Sequence, residues 1–180
     1  MNTLIKKDKE QIALRSKKLR EMLSLTQEQL AMAIGVSRGT YVAVEKAKGF
    51  TGDTLLAICH FFGMTLTEFS NFNIALPSEL ELREKIKRYH VNNNSTKYKV
   101  LENPPLLSSI IEFRLLRSDF LKEPRRVSEI IDYINDEYKL LFNSSVLSQA
   151  LKEEVNRKHL KRTKGTGNGF LYVLAKRIKP

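Results

Sequence analysis

The 180-residue chain has no tryptophan, a single cysteine, five prolines and eight glycines, and these scarcities exclude several classes of protein. A lone Cys59 forms no internal disulfide, and no Cys/His set stands at zinc-ligand spacing, so neither a disulfide framework nor a metal is expected. No apolar run approaches the roughly 20 residues needed to span a bilayer. The stretch MNTLIKKDKEQIALRSKK lacks the apolar segment of a secretory signal, which makes the cytoplasm the expected location. No close carboxylate pair and no nucleophile beside a base occurs at a spacing that chemistry requires, so neither an enzyme nor a cofactor is expected.

Acid is scarce as well. Against 31 Lys plus Arg there are 20 Asp plus Glu, a net charge of +11, and such an excess favours polyanionic partners. Residues 1–70 hold 10 bases and 7 acids, 71–103 hold 6 and 4, and 104–180 hold 15 and 9. The last 24 residues, from Arg157, carry 8 Lys or Arg and no acid. Nucleic acid leads as partner. A membrane surface is the rival, disfavoured because the apolar faces of the helices are ordinary core stripes.

What is present is helical periodicity. Ile12, Leu19, Met22 and Leu23 recur at helical spacing and predict a first helix over about 9–24. In TQEQLAMAIG, Thr26 with Gln29 three residues on is a capping-box pattern, Leu30, Ala31 and Ile34 supply an apolar stripe, and Gly35 stops the helix. Ser37 can cap a third helix to about Lys46, with Val36, Tyr41 and Val44 inward and Arg38, Gly39, Val42, Ala43 and Lys46 outward. Thr51 starts a fourth helix bearing Leu55, Ile58, Cys59 and Phe62 and ending at Gly63. Thr65 and Glu68 cap a fifth short one.

The sequence LREMLSLTQEQLAMAIGVSRGTYVAVEKAKGFTGDTLLAICHFFGMTLTEF resembles the Cro/phage-repressor, or xenobiotic-response-element, type of helix-turn-helix domain over residues 11–70. The resemblance rests on TQEQLA, the turn glycine, VS, Tyr41, Glu45 and TLLAICHFFGMTL at the family's spacing. It implies that the helix from Ser37 enters the DNA major groove by its N-terminal end, with Arg38, Gly39 and Ala43 at base-facing positions and Val42 beside them. Gln27 matches a phosphate-contacting position, and Ser37, Thr40, Lys46 and Lys48 are candidates for further backbone contacts. Arg20 and Glu45 match a structural pair that ties the first helix to the recognition helix. Arg38 is the expected polar base reader, because an arginine can donate two hydrogen bonds to one guanine. Gly39 departs from the polar residue usual there. Cys59 occupies a small core position, and His60 has no candidate partner.

Domain 1–75 is therefore expected to be followed by a segment, 76–104, that joins a charged helix beginning at Pro77 and Ser78 to the polar loop NNNSTKYKVLENPP. Beyond it, LLSSIIEFRLLRSDFL reads as one helix ending before Pro124. Val127, Ile130, Ile131 and Ile134 mark a second. NSSVLSQALKEEVNRKH gives a third, with Val146, Leu147, Ala150, Leu151 and Val155 inward. LKRTKGTGNGFLYVLAKRI then reads as a β-hairpin around Gly165–Gly169. GTGNG lies between two strands, whereas a nucleotide-binding glycine loop opens a helix.

Three helices and a hairpin over 105–180 resemble a winged helix-turn-helix domain. In that reading Ser145, Ser148, Gln149, Lys152 and Arg157 are exposed on a second recognition helix, and Lys161, Arg162, Lys164 and Asn168 lie on the wing along phosphates. The expected fold is mainly α: a five-helix repressor-like domain, then a winged-helix domain. The expected function is sequence-specific DNA binding by a transcriptional regulator acting as a homodimer. Two alternatives stay open: an antitoxin that binds a partner protein and autoregulates its operon, and an accessory DNA-binding protein of a mobile element.

Overall fold

The computed structural model describes residues 3–138, 141–165 and 169–175, and the chain divides into two compact units, 1–103 and 104–180. Unit 1 contains α1 (Thr3–Met22), α2 (Gln27–Ile34), α3 (Arg38–Glu45), α4 (Gly52–Phe61), α5 (Leu66–Ser70) and α6 (Glu79–Asn92), then a 3₁₀ helix, Lys97–Leu101. Unit 2 contains α7 (Leu107–Phe113), two 3₁₀ turns, β1 (Arg125–Arg126), α8 (Val127–Tyr138), α9 (Ser144–Asn156), β2 (Leu160–Lys164) and β3 (Phe170–Leu174).

The helices α2 to α5 start where short polar side chains satisfy free backbone N–H groups. Thr26 Oγ1 accepts from Gln29 N at 3.1 Å while the Gln29 side chain accepts from Thr26 N at 2.8 Å. Thr65 and Glu68 repeat this reciprocal arrangement, which closes two orphan donors at once. Ser37 and Thr51 cap α3 and α4. Gly35, at φ +79°, ends α2 in the left-handed region that a glycine enters without steric cost. Leu19, Leu23, Leu30, Tyr41, Val44, Ile58, Phe61 and Phe69 then bury together, with Cys59 among them. Burial pushes the Cys59 thiol up to about 11, so at neutral pH it is a protonated core side chain.

Of the segment 76–104, residues 76–103 belong to unit 1 rather than forming a link between domains. Leu82 and Ile86 of α6 are fully buried in the same core, and Tyr98, Val100 and Leu101 of the 3₁₀ helix pack against it. Arg83 donates to the carbonyls of Leu101 at 3.2 Å and Leu23 at 3.3 Å, tying this segment to the end of α1. His90 is buried: its Nδ1 lies 3.0 Å from Ser95 Oγ and its Nε2 3.1 Å from the Phe61 carbonyl. A carbonyl only accepts, so Nε2 carries the proton and Ser95 donates to Nδ1. Gly63 shows how closely α6 approaches α4. At φ +61° it lies where an added Cβ would come within 2.8 Å of Tyr89 Cβ. The first helix also begins earlier than the periodicity suggests, at Thr3, because its N-terminal turns are solvated and carry no core stripe.

In unit 2, the stretch expected as one helix breaks after Phe113 into 3₁₀ turns at Leu115–Arg117 and Phe120–Lys122. Arg114, at φ −120° and ψ −66°, ends α7, and Ser118 ends the turn after it: its Oγ donates to the Leu115 carbonyl at 2.9 Å and accepts from Phe120 N at 3.3 Å, local bonds that compete with helix continuation. Arg125–Arg126, just before α8, form β1. This strand pairs antiparallel with β3, making a three-stranded sheet of order β1-β3-β2. Leu160↔Leu174 to Lys164↔Phe170 sets the register of the hairpin. Ile110, Ile111, Leu115, Ile130, Ile134, Leu147, Leu151 and Tyr172 form the core. A mainly α chain with a helix-turn-helix unit, then three helices and a small antiparallel sheet in winged-helix-like order, is the fold expected from the sequence. Val146, expected inward, is instead 53% exposed, because Leu147 and Leu151 take the core and Glu154 follows them inward.

Candidate nucleic-acid interface

The α2–α3 pair is held by α1. Ser16 on α1 and Tyr41 on α3 share a buried hydrogen bond of 2.9 Å. Burial foremost, with the negative charge of Glu45, pushes the Tyr41 hydroxyl far above its usual range and keeps it neutral. One turn later on each helix, Arg20 Nε donates to Glu45 Oε1 at 2.7 Å and Nη2 to Oε2 at 3.1 Å, while Nη1 donates to the Leu25 carbonyl at 2.7 Å. Burial works against the Arg20 charge, yet the hydrogen bond and attraction of Glu45 outweigh it, and its pKa is raised. Gln27 Nε2 donates to Glu45 Oε2 at 2.7 Å, so α1, α2 and α3 meet on one carboxylate.

This clamp leaves the N-terminal end of α3 outward. Arg38, Gly39 and Thr40 are exposed, with Lys46 and Lys48 beyond the other end. Ser37 caps the helix, its Oγ accepting from Thr40 N at 3.0 Å. Gly39 lies inside the first turn behind that cap. Val42 and Ala43, expected outward, are half-buried. The open face is therefore narrower than the helical wheel implies, and Arg38 is its long side chain at the end that would meet base edges. Gln27 is half-buried with its amide turned back to Glu45.

In unit 2, Asn143 caps α9 by accepting from Ser145 N at 2.8 Å. Ser145, Gln149, Lys152 and Arg157 are exposed and Ser148 is half-buried. Glu153 shares the exposed surface, and buried Glu154 accepts from Arg157 at 2.9 Å and pairs with His159 Nδ1 at 2.6 Å. Lys161, Arg162 and Lys164 are all exposed on β2, and the Arg162 guanidinium sits 4.2 Å from the Phe170 ring centroid. Asn168 lies outside the described residues. His60 is exposed, its ring 6.2 Å from that of Tyr89.

The Ser16–Tyr41 and Gln27–Glu45 bonds and the burial of His90 have no counterpart in the sequence reading. Only the alternation of polar positions on an otherwise apolar face marks Ser16 and Tyr41, and such a pattern does not say which two residues meet. Among the described residues no group of three or more His, Cys, Asp or Glu could hold a metal ion, and no helix is long and apolar enough to cross a membrane.

None of the curated proteins and none of the solved structures gives a significant match to the chain. The family model described as helix-turn-helix matches residues 17–69. That span runs from the middle of α1 to α5 and includes Arg20, the α2–α3 pair and Glu45. Residues 17–69 are thus a helix-turn-helix domain of the Cro/C1, xenobiotic-response-element type, the DNA-binding module of transcription regulators.

Proposed function

We propose that the protein is a sequence-specific repressor of transcription that binds double-stranded DNA as a homodimer. The observation that carries this reading is the exposed start of α3, with Arg38, Gly39 and Thr40 outward on a helix fixed from behind by Arg20 and Glu45. Arg38 reads a base edge in the major groove. Ser37, Thr40, Lys46 and Lys48 hold phosphates, and Val42 and Ala43 bring apolar contact at the groove wall. Gln27 sits at the first turn of α2, where a phosphate is also favoured by the helix N-terminus.

Unit 2 contributes a second contact with the same duplex. Lys161, Arg162 and Lys164 neutralise phosphates, and Ser145, Gln149 and Lys152 face the groove from α9. A two-fold dimer places two α3 helices about one DNA turn, roughly 34–36 Å, apart. Genome-wide footprinting tests the reading: the expected result is a short two-fold-symmetric protected site upstream of genes whose transcripts rise when the protein is deleted. Uniform protection without sequence preference overturns the operator assignment, and falling transcripts overturn repression.

A further inference from the structure

Arg15 on α1 is a buried cation with no acidic partner among the described residues. The residue is 7% exposed. Its Nη1 donates to the carbonyls of Asn71 at 2.9 Å and Ile74 at 3.4 Å, and its Nε is buried with no partner among those residues. Burial lowers its pKa. Arg20, five residues on, is buried in the same helix but has Glu45 against it. A cation removed from water needs a compensating charge or a full set of acceptors, and Arg15 has only two carbonyls, both on one nitrogen.

Arg15 also lines a cleft of about 410 Å³, within the size range of small-molecule sites. Met64, Ile74 and Pro77 give it an apolar wall, and Lys85 and Arg88 add two further cations. The two acids in the lining already have partners, Glu68 with the lining cation Lys85 among them. Glu68 accepts from Thr65 N at 2.7 Å and Lys85 Nζ at 3.0 Å, and Glu81 accepts from Ser78 N at 2.8 Å and Ser78 Oγ at 2.7 Å. These bonds hold both below the usual carboxylate range, Glu68 chiefly through the Thr65 backbone N–H and Glu81 chiefly through the Ser78 hydroxyl. With three cations against two carboxylates, the lining has room for one more negative charge. Arg88 is exposed and makes no ion pair among the described residues.

We propose that this cleft binds a small organic monocarboxylate with an aliphatic body. The carboxylate is received by the Nε–Nη2 edge of Arg15, whose Nε lacks a partner but is buried in the unliganded chain, so the side chain turns to present it; a planar guanidinium edge matches a carboxylate in two parallel hydrogen bonds. The long bond to Ile74 lets that edge tilt toward the cleft. Arg88 attracts the anion at the mouth, and the aliphatic body lies against Met64, Ile74 and Pro77.

The test is an NMR titration of the full chain with straight-chain carboxylates from butyrate to octanoate, and with hexanamide as the neutral match to hexanoate. The expected result is saturable shifts confined to residues around 64–88, with hexanamide weaker by about tenfold or more. Arg15→Gln should abolish the response while circular dichroism reports a folded chain, and Arg88→Gln, on an exposed side chain, should weaken it several-fold. Should Arg15→Gln unfold the protein, hexanamide and Arg88→Gln decide. No saturable response to any carboxylate, equal binding of hexanamide, or binding indifferent to both substitutions overturns the proposal.

Discussion

Arg20 and Glu45 form a two-pronged ion pair, Nε–Oε1 at 2.7 Å and Nη2–Oε2 at 3.1 Å, between side chains only 4% and 3% exposed. Removing one member leaves the other charged in a dry place. Glu45→Ala should therefore destabilise unit 1 by about 3–5 kcal/mol, read as a lower urea midpoint. Replacing both members, Arg20→Met with Glu45→Leu, should cost much less than Glu45→Ala alone. A double variant as damaged as the single one would show that the pair does more than cancel two buried charges.

The exposed start of α3 separates specificity from stability. Arg38→Ala should lower the ratio of operator to random-DNA affinity by about 1–3 kcal/mol, the usual contribution of one base-reading arginine. Gly39→Ala should act in the opposite sense on the fold. A Cβ there meets only Ser37 Oγ at 3.7 Å, so the helix gains up to about 1 kcal/mol. If glycine is present to let the backbone approach DNA, the same variant loses affinity. Competition binding and thermal unfolding on the two variants give both answers.

The basic strand β2 predicts a salt effect. Lys161→Ala with Arg162→Ala should weaken operator and random DNA alike and reduce the slope of log affinity against log salt by about 1.8 per subunit, hence by about 3.6 for the homodimer, roughly 0.9 for each phosphate that is no longer neutralised. An unchanged slope would remove β2 from the DNA interface.

His90 predicts a pH effect. Burial, the dominant cause, holds its pKa below the ordinary 6.5, and its neutral form satisfies Ser95 and Phe61 together. A depressed histidine pKa means that the folded state resists protonation. The stabilisation is complete above about pH 6.5 and is lost as pH falls from there toward the lower folded value. Urea midpoints at pH 7.5 and 5.5 should differ in that direction, and His90→Gln should shrink the difference.

The elements of unit 1 are legible in the sequence because local chemistry dictates them. Thr26 with Gln29, Ser37, Thr51 and Thr65 with Glu68 announce helix starts whatever surrounds them, and the apolar residues between repeat at the helical period. Of the candidate contact residues, Arg38, Thr40, Lys46 and Lys48 are exposed, as their places in the sequence suggest. Val42 and Ala43 fall outward on a helical wheel because the wheel shows direction, not how far neighbouring elements reach over the flank. Contacts between distant residues, such as Ser16 with Tyr41 or His90 with Phe61, leave no spacing to read. In unit 2 the two-residue strand β1 is too short to show alternation, and the Ser118 break is a competition between local hydrogen bonds that apolar periodicity ignores.

The seating of α6 and the 97–101 turn against the first five helices fixes where unit 1 can be cut. A fragment stopping near residue 75 would strip the cover from Phe61 and Phe62, uncap the carbonyl that His90 occupies and leave Gly63 folded tightly against nothing. Such a piece should be aggregation-prone and unfold at lower temperature than one ending at Asn103, a comparison that calorimetry can make directly. Unit 1 is thus nearly twice as long as the 53 residues matching the helix-turn-helix family, and what looks like tether is scaffolding.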